Sequence, residues 1–225
     1  MKNILISGAP GTGKSVVATS TSIITGLPTV GNRPSSEIIY EHNLSRDLST
    51  HSFKELFTIG FSNFTDRINL EKRYEEGFIS DGSILNDLIS IKLFLQGQSN
   101  KKHTFFNWIS NRRYLKECFK MVYSLERLAN DYFKYHSYDI VHLNLPNFSD
   151  ASFLPEKIEY LNNYNNELIQ YYKEFNSNFL VYPKSDFDVT IDQIVKDFGL
   201  HPKHSTQIAL FQAFNVMHIS TLNLS

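Results

Sequence analysis

Apolar positions along the chain fall into short runs that alternate with longer periodic stretches. Asn3–Ser7 is a short apolar run entering a glycine-rich turn, the pattern of a buried parallel strand. From Lys14 to Thr25 no Gly or Pro interrupts the chain, and a helix is predicted that Gly26 and Pro28 end. Thr29–Val30 and Phe78–Ser80 are predicted as further short strands, the second ending at Asp81–Gly82. In Ile84–Leu95 the residues Leu85, Leu88, Ile89, Lys92 and Leu95 share one helical face. Residues 96–103 are predicted as a polar loop, and an aromatic-rich helix as covering about 106–136. Its stripe of Leu115, Phe119, Val122, Leu125, Ala129 and Tyr132 reads as core. Asp139–Leu145 predicts a strand. A helix follows from Pro155 to Phe175, with Ile158, Leu161, Leu168, Ile169 and Tyr172 apolar. Asn178–Tyr182 predicts the last strand, Thr190–Phe198 a helix closed by Gly199, and Thr206–Val216 a helix in the tail.

Strands that alternate with helices in this way imply an α/β protein. The expected architecture is a three-layer α/β/α sandwich around a mostly parallel sheet of about five strands. The organisation read from the sequence is one domain over residues 1–199 and a C-terminal extension over 200–225.

The turn after the first strand carries the most specific chemistry. Gly8, Gly13, Lys14 and Ser15 satisfy G-x-x-x-x-G-K-[ST], placed between a predicted strand and a predicted helix. Glycine lets backbone N–H groups curl around phosphate oxygens. A lysine at position 14 is expected on the β/γ-phosphates, and a serine at position 15 offers its hydroxyl to Mg²⁺. The helix starting there adds its positive end. Gly8, Ala9, Pro10, Gly11, Thr12, Gly13, Lys14, Ser15 and Val16 are therefore the expected nucleotide-binding residues of a P-loop NTPase, with ATP and Mg²⁺ as cofactors.

Such a site needs an acid at the end of a neighbouring strand. Asp81 directly follows Phe78–Ile79–Ser80 and is the first candidate, as a metal ligand or as a base toward a substrate hydroxyl. Its competing role is to cap the next helix. Asp139 begins a strand and falls at the wrong end of the sheet, as a solvated turn residue. Glu37 and Glu41 follow the second strand four residues apart, on one helix face. Glu37 is the candidate base or acceptor ligand, although a solvated face is an equally good reading.

Composition narrows the partners. The net charge is −1, from 22 basic and 23 acidic residues, which leaves no electrostatic footprint for nucleic acid or an anionic membrane. No apolar run approaches the length of a membrane span. The single cysteine, Cys118, allows neither an intrachain disulfide nor a cysteine zinc site, and fits a cytoplasmic setting. The eight histidines are scattered without metal-ligand spacing.

Pro183–Lys184–Ser185–Asp186 keeps the Lys and Asp of an N-K-x-D guanine signature but lacks its Asn, so a GTPase is not indicated. The short chain has no evident helical lid of a ring ATPase, and the full G-K-S ending argues against a sulfotransferase. The ordered motifs are GAPGTGKS, Ser36–Glu37–Ile38–Ile39–Tyr40–Glu41, Gly77–Phe78–Ile79–Ser80–Asp81–Gly82–Ser83, Tyr138–Asp139–Ile140–Val141 and Phe179–Leu180–Val181–Tyr182. Over about residues 1–199 this layout resembles the ribosylnicotinamide-kinase domain of bacterial NAD-biosynthesis regulators and related single-domain AAA-type ATP-binding proteins. The resemblance implies a small-molecule kinase that phosphorylates a nucleoside-like hydroxyl, with Lys14, Asp81 and Glu37 as catalytic residues and Ser15 and Asp81 toward the metal. Members often carry D-R-S after the third strand, where this chain has Asp81–Gly82–Ser83. They also often carry an Arg in the acidic lid turn, where residues 147–152 have none, and an Arg before the post-strand Glu, where this chain has Ser36. Arg33, Arg46, Arg112, Arg113 and Lys157 are the cations that sequence offers in exchange.

The partner expected is thus a small-molecule acceptor, with no nucleic acid and no membrane, and a homo-oligomer left open. The competing reading is a nucleotide-gated interaction protein with weak ATPase activity, with Phe105, Phe106 and Trp108 as a docking patch, although buried core is the stronger reading of these three.

Overall fold

A computed structural model describes residues 2–32, 35–41, 53–99, 105–145, 155–175, 178–183 and 185–222. Five strands form one sheet: β1 (Lys2–Gly8), β2 (Thr29–Val30), β3 (Gly77–Asp81), β4 (Asp139–Leu143) and β5 (Asn178–Tyr182). The order is β2-β3-β1-β4-β5 and every pairing is parallel, as the alternation of elements predicts. The chain leaves β1 toward β2 and β3 on one side and toward β4 and β5 on the other. Ligands of open parallel sheets gather at the carboxyl ends of strands flanking such a switch.

Eight helices are described: α1 (Lys14–Thr25), α2 (Ser35–Glu41), α3 (Phe53–Glu71), α4 (Ile84–Ser99), α5 (Phe105–Tyr135), α6 (Pro155–Glu174), α7 (Phe187–Asp197) and α8 (Thr206–Leu222). The two faces of β1 divide the core. Leu5 turns toward α3, α4, α5 and α6, packing with Phe64, Leu85, Leu88, Leu125, Leu168 and Tyr172. Ile4 and Ile6 turn the other way, toward Val17 of α1, Ile191 and Ile194 of α7 and Ala209 of α8. This is the three-layer sandwich, and α8 closes it on the α1 side with Ala209 and Ala213 fully buried.

Several element boundaries differ from the sequence pattern. The helix expected to stop at Leu95 continues to Ser99, so residues 96–99 are helical and not loop. Strand β4 stops at Leu143, two residues short of the expected Leu145, and Asp139 is its half-buried first residue instead of a solvated turn. Helix α7 starts at Phe187 instead of Thr190, with Asp188 in its first turn complementing the positive end of the helix. The tail helix runs on to Leu222. In α5 the expected stripe holds at Val122, Leu125 and Ala129, which are buried, with Leu115 and Tyr132 packed partly buried against the core; Phe119 departs from it at 41% exposed, and Cys118 and Phe133 are buried as well. The side chains of Phe105, Phe106 and Trp108 lie outside the described residues.

The sequence pattern predicts no element over residues 53–71, yet these form α3. Its inward face is partly polar: Asn63, Arg67 and Glu71, at four-residue steps, are all buried. A hydrophobic periodicity does not reveal a helix whose core-facing row is an amide, a guanidinium and a carboxylate.

Tyr172 of α6 ties two strand ends together. Its hydroxyl lies 2.6 Å from Ser7 Oγ and 3.1 Å from Ser83 Oγ, and burial pushes its pKa up to about 12. Tyr172→Phe would leave two buried hydroxyls short of a partner. The expected loss is about 1–3 kcal/mol in urea denaturation; an unchanged midpoint would show that this knot carries no stability.

Candidate functional site

The turn between β1 and α1 is built by local geometry. Gly11 and Gly13 have φ of +84° and +83°, in the left-handed region that glycine enters without cost. At Gly13 space forbids a side chain as well, since a Cβ would lie 2.5 Å from the Phe187 ring. Inside the loop the Thr12 hydroxyl donates to the Ala9 carbonyl at 2.9 Å. Gly8 and Ala9 are buried, Pro10 and Gly11 exposed, and Thr12 to Ser15 half-buried. The loop therefore stands at the carboxyl end of the central strand with its amides at the head of α1, the arrangement of an anion cradle.

Asp81 ends β3, beside β1, and its Oδ1 is buried without a hydrogen-bond partner. Just below it lies a polar cluster that sequence reasoning did not single out. Arg67 is 1% exposed. Its Nη1 donates to Ser80 Oγ (3.0 Å) and to the Gly82 carbonyl (2.9 Å), and its Nη2 to the Asp81 carbonyl (3.0 Å) and to Asn32 Oδ1. Asn32 Nδ2 in turn donates to Asp87 Oδ1 at 2.9 Å, and Asp87 Oδ2 lies 3.9 Å from Arg67 Nε. One guanidinium thus gathers the loop after β2, the end of β3 and the first turn of α4.

Arg67 is itself backed by Glu71, one turn along α3. The Glu71 carboxylate accepts hydrogen bonds from Tyr132 (2.6 Å) and Tyr138, and approaches Ser80 Oγ at 3.4 Å. Burial and the Glu71 carboxylate together push both tyrosines above the ordinary phenol range.

Asp87 is the perturbed acid of the site. Burial pushes its carboxyl up to about 6, against the lowering pull of the Arg67 guanidinium, the Asn32 hydrogen bond and the Lys14 ammonium. The folded chain therefore holds this proton more tightly than the unfolded one, where the group titrates near 3.8. The stability so contributed is complete below about pH 3.8 and is lost as pH rises through about 6. A shift of about two units corresponds to roughly 3 kcal/mol. Asp87→Asn does not titrate, so urea denaturation across this window should show a fall in wild type that the variant lacks. Identical slopes would mean that Asp87 is not a raised, buried acid.

The residues named from sequence are only partly gathered. Lys14 and Ser15 head α1, with Lys14 close enough to Asp87 to act on it electrostatically. Glu37 sits exposed in the first turn of α2, and among the described residues no hydrogen bond or ion pair joins it to Lys14, Ser15 or Asp81. Of the cations offered in place of the missing arginines, the side chains of Arg33, Arg46, Arg112 and Arg113 lie outside the described residues, and Lys157 is exposed on α6. The arginine at the site is Arg67, beside Gly82.

On the other flank of the loop a cavity of about 300 Å³ opens between the ends of β4 and β5 and the head of α7. Val17, Leu143 and Phe187 form apolar walls, and Gly11, Gly13, Asn144 and Asp186 also line it.

Central parallel sheet, glycine cradle and strand-end aspartate together decide the architecture. The fold is that of the P-loop NTPases. A solved deoxyadenosine kinase from M. mycoides, in a structure with bound dCTP, shares it: TM-score 0.57 at 19% identity, over 88% of this chain and 99% of that one. No protein-family model matches the sequence, and no curated protein matches it. Among the described residues no helix is long and apolar enough to cross a membrane, and no group of three or more His, Cys, Asp or Glu is placed to hold a metal ion.

Proposed function

We propose that this protein is a nucleoside-triphosphate-dependent small-molecule kinase that transfers the γ-phosphoryl group to a hydroxyl of a nucleoside-like acceptor. The observation that carries the reading is the Arg67–Asn32–Asp87 cluster at the end of β3, with Arg67 and Asp87 buried, Asn32 exposed, and Lys14 of the phosphate loop close enough to act on Asp87. A nucleotide cradle alone needs no such neighbour. A guanidinium, a carboxamide and a carboxylate offer donors and acceptors to a polar small molecule. The likeness in fold to a deoxyadenosine kinase supports a nucleoside as acceptor, and the family resemblance implies ATP as donor.

In this reading the backbone N–H groups of residues 8–16, Pro10 excepted, hold the β- and γ-phosphates and Lys14 neutralises their charge. Ser15 and Asp81 would hold Mg²⁺. Their oxygen donors suit that hard cation, which is bound by few carboxylates plus substrate phosphates, and Asp81 Oδ1 has its acceptor capacity free. When bound, the ion neutralises developing charge on the phosphates. The acceptor oxygen attacks the γ-phosphorus, the bond to the leaving diphosphate oxygen breaks, and the hydroxyl proton passes to a carboxylate. Asp81 and Glu37 are the two bases to test, and Asp87 with Asn32 orients the acceptor. Catalysis is then positioning and charge stabilisation. The setting we propose is cytoplasmic, and the partner a small molecule instead of a nucleic acid or a membrane.

The test is to incubate the full chain with ATP or GTP, Mg²⁺ and a panel of nucleosides and other hydroxyl metabolites, and to measure formation of the nucleoside diphosphate, ADP or GDP. Acceptor-stimulated formation is expected; none across the panel would overturn the kinase reading. A second reading, nucleotide-gated docking, draws on one contact. Phe187, against Gly13, meets Phe214 of α8 edge-on at 6.2 Å, and α8 exposes Ile208, Phe211 and Val216. Sedimentation that is identical with and without nucleotide would remove its basis.

A further inference from the structure

The cavity beside the phosphate loop has apolar walls at Val17, Leu143 and Phe187 and a polar side that includes Asn144 and Asp186 together with Thr12, Ser185 and Thr190. Asp186 stands at the boundary of α7 with extended backbone, φ −60° and ψ 148°, yet its side chain makes no capping hydrogen bond. Aspartate at this position ordinarily accepts from the first-turn amides. Neighbouring groups take other partners: Ser185 Oγ lies 2.6 Å from Thr190 Oγ1, and Asp188 Oδ1 accepts from the Val189 N–H at 2.8 Å. The Asp186 carboxylate is left beside the cavity.

Asn144 reaches the same cavity from the next strand. Leu143 pairs with Tyr182 across the β4–β5 ladder, and the Asn144 N–H donates to the Tyr182 carbonyl at 3.0 Å. Asn144 therefore stands next to Pro183. The carboxamide that the segment 183–186 lacks in sequence is brought to it by sheet register.

A carboxylate only accepts hydrogen bonds, whereas a carboxamide both donates and accepts. Guanine offers a ring N–H and an amino group side by side, a pair that one carboxylate can take in a fork, and its O6 and N7 accept from an amide. Adenine presents a lone pair where guanine has the ring N–H, so the carboxylate would face a like partial charge. We propose that this cavity selects a guanine over an adenine nucleotide, with Asp186 and Asn144 as the residues that determine the base. The inference rests on the nucleotide-site reading above and replaces ATP by GTP as the preferred donor.

Calorimetric titration of the full chain with Mg·GDP and with Mg·ADP tests it. GDP should bind at least about tenfold tighter than ADP, the low end of what hydrogen bonds to a charged group contribute, as suits an exposed carboxylate. Asp186→Ala should weaken GDP by about tenfold or more and leave ADP nearly unchanged. Asp186→Asn should shift the preference to xanthosine diphosphate, whose C2 carbonyl accepts from the new amide. ADP binding as tightly as GDP to the wild-type chain overturns the inference but keeps the nucleotide site. Equal weakening of GDP and ADP in both variants also overturns it, because loss of a structural contact at the head of α7 would do that. If neither nucleotide binds the wild-type chain, the nucleotide-site reading falls and this inference with it.

Discussion

Arg67→Met is expected to lower the unfolding free energy by about 3–5 kcal/mol, the scale for removing one member of a buried charge pair. Methionine fills much of the volume, so the loss is not chiefly a cavity. It comes from what is stranded: the carbonyls of Asp81 and Gly82, the Asn32 amide oxygen and the Asp87 carboxylate all face the guanidinium. Lysine would not rescue the variant, because a single ammonium does not span partners that two guanidinium nitrogens reach in one plane. Asp87 also loses the cation that holds its pKa down, so its titration moves further upward. Urea denaturation reads the first effect and its pH dependence the second. Combining Arg67→Met with Asp87→Asn should cost less than the sum of the two, since the stranded charge disappears. A loss below about 1 kcal/mol for Arg67→Met would mean that water reaches the guanidinium's partners and replaces its hydrogen bonds.

Lys14→Ala is expected to leave the fold intact and cut phosphoryl transfer by roughly 10²–10³, the size of effect seen when one preorganised stabiliser of developing charge is removed. Lys14 is half-buried at the head of α1; its loss takes from Asp87 only the smallest of the three influences that lower its pKa. Its effect should fall on turnover and on nucleotide affinity, with thermal unfolding of the apo chain hardly changed. This pattern is the reverse of that expected for Arg67, and the two variants together separate charge on the phosphates from construction of the site. Turnover of Lys14→Ala within a few-fold of wild type would mean that the loop does not present its lysine to the transferred group.

Much of this was legible in one sequence because it is local. The phosphate loop needs glycine where φ is positive and a ring packs close, at Gly11 and Gly13, and those needs are met within eight residues. Four of the five strands, with β2 reduced to Thr29–Val30, are apolar runs ending in turn residues, and their alternation with helices implied the parallel sheet. Asp81 was found because a strand end is a place that sequence can name. Helix α3 escaped because its buried row of Asn63, Arg67 and Glu71 looks like a solvated face. Asp87 escaped for a similar reason: in the first turn of a helix an aspartate reads as an N-terminal charge preference and nothing more.

What the sequence by itself determined, then, is the cradle, the parallel α/β order and the acid at the end of β3. Only the tertiary structure decided which polar groups share a buried volume. Arg67 meets Asn32 because α3 packs against β2 and α4, and Asp87 joins them through the turn after β3. Asn144 comes beside Pro183 through the register of β4 on β5. The physical reason is one of range. A backbone conformation is set by a residue and its near neighbours, whereas the partner of a buried charge is set by strand order and helix packing, which the whole chain decides together.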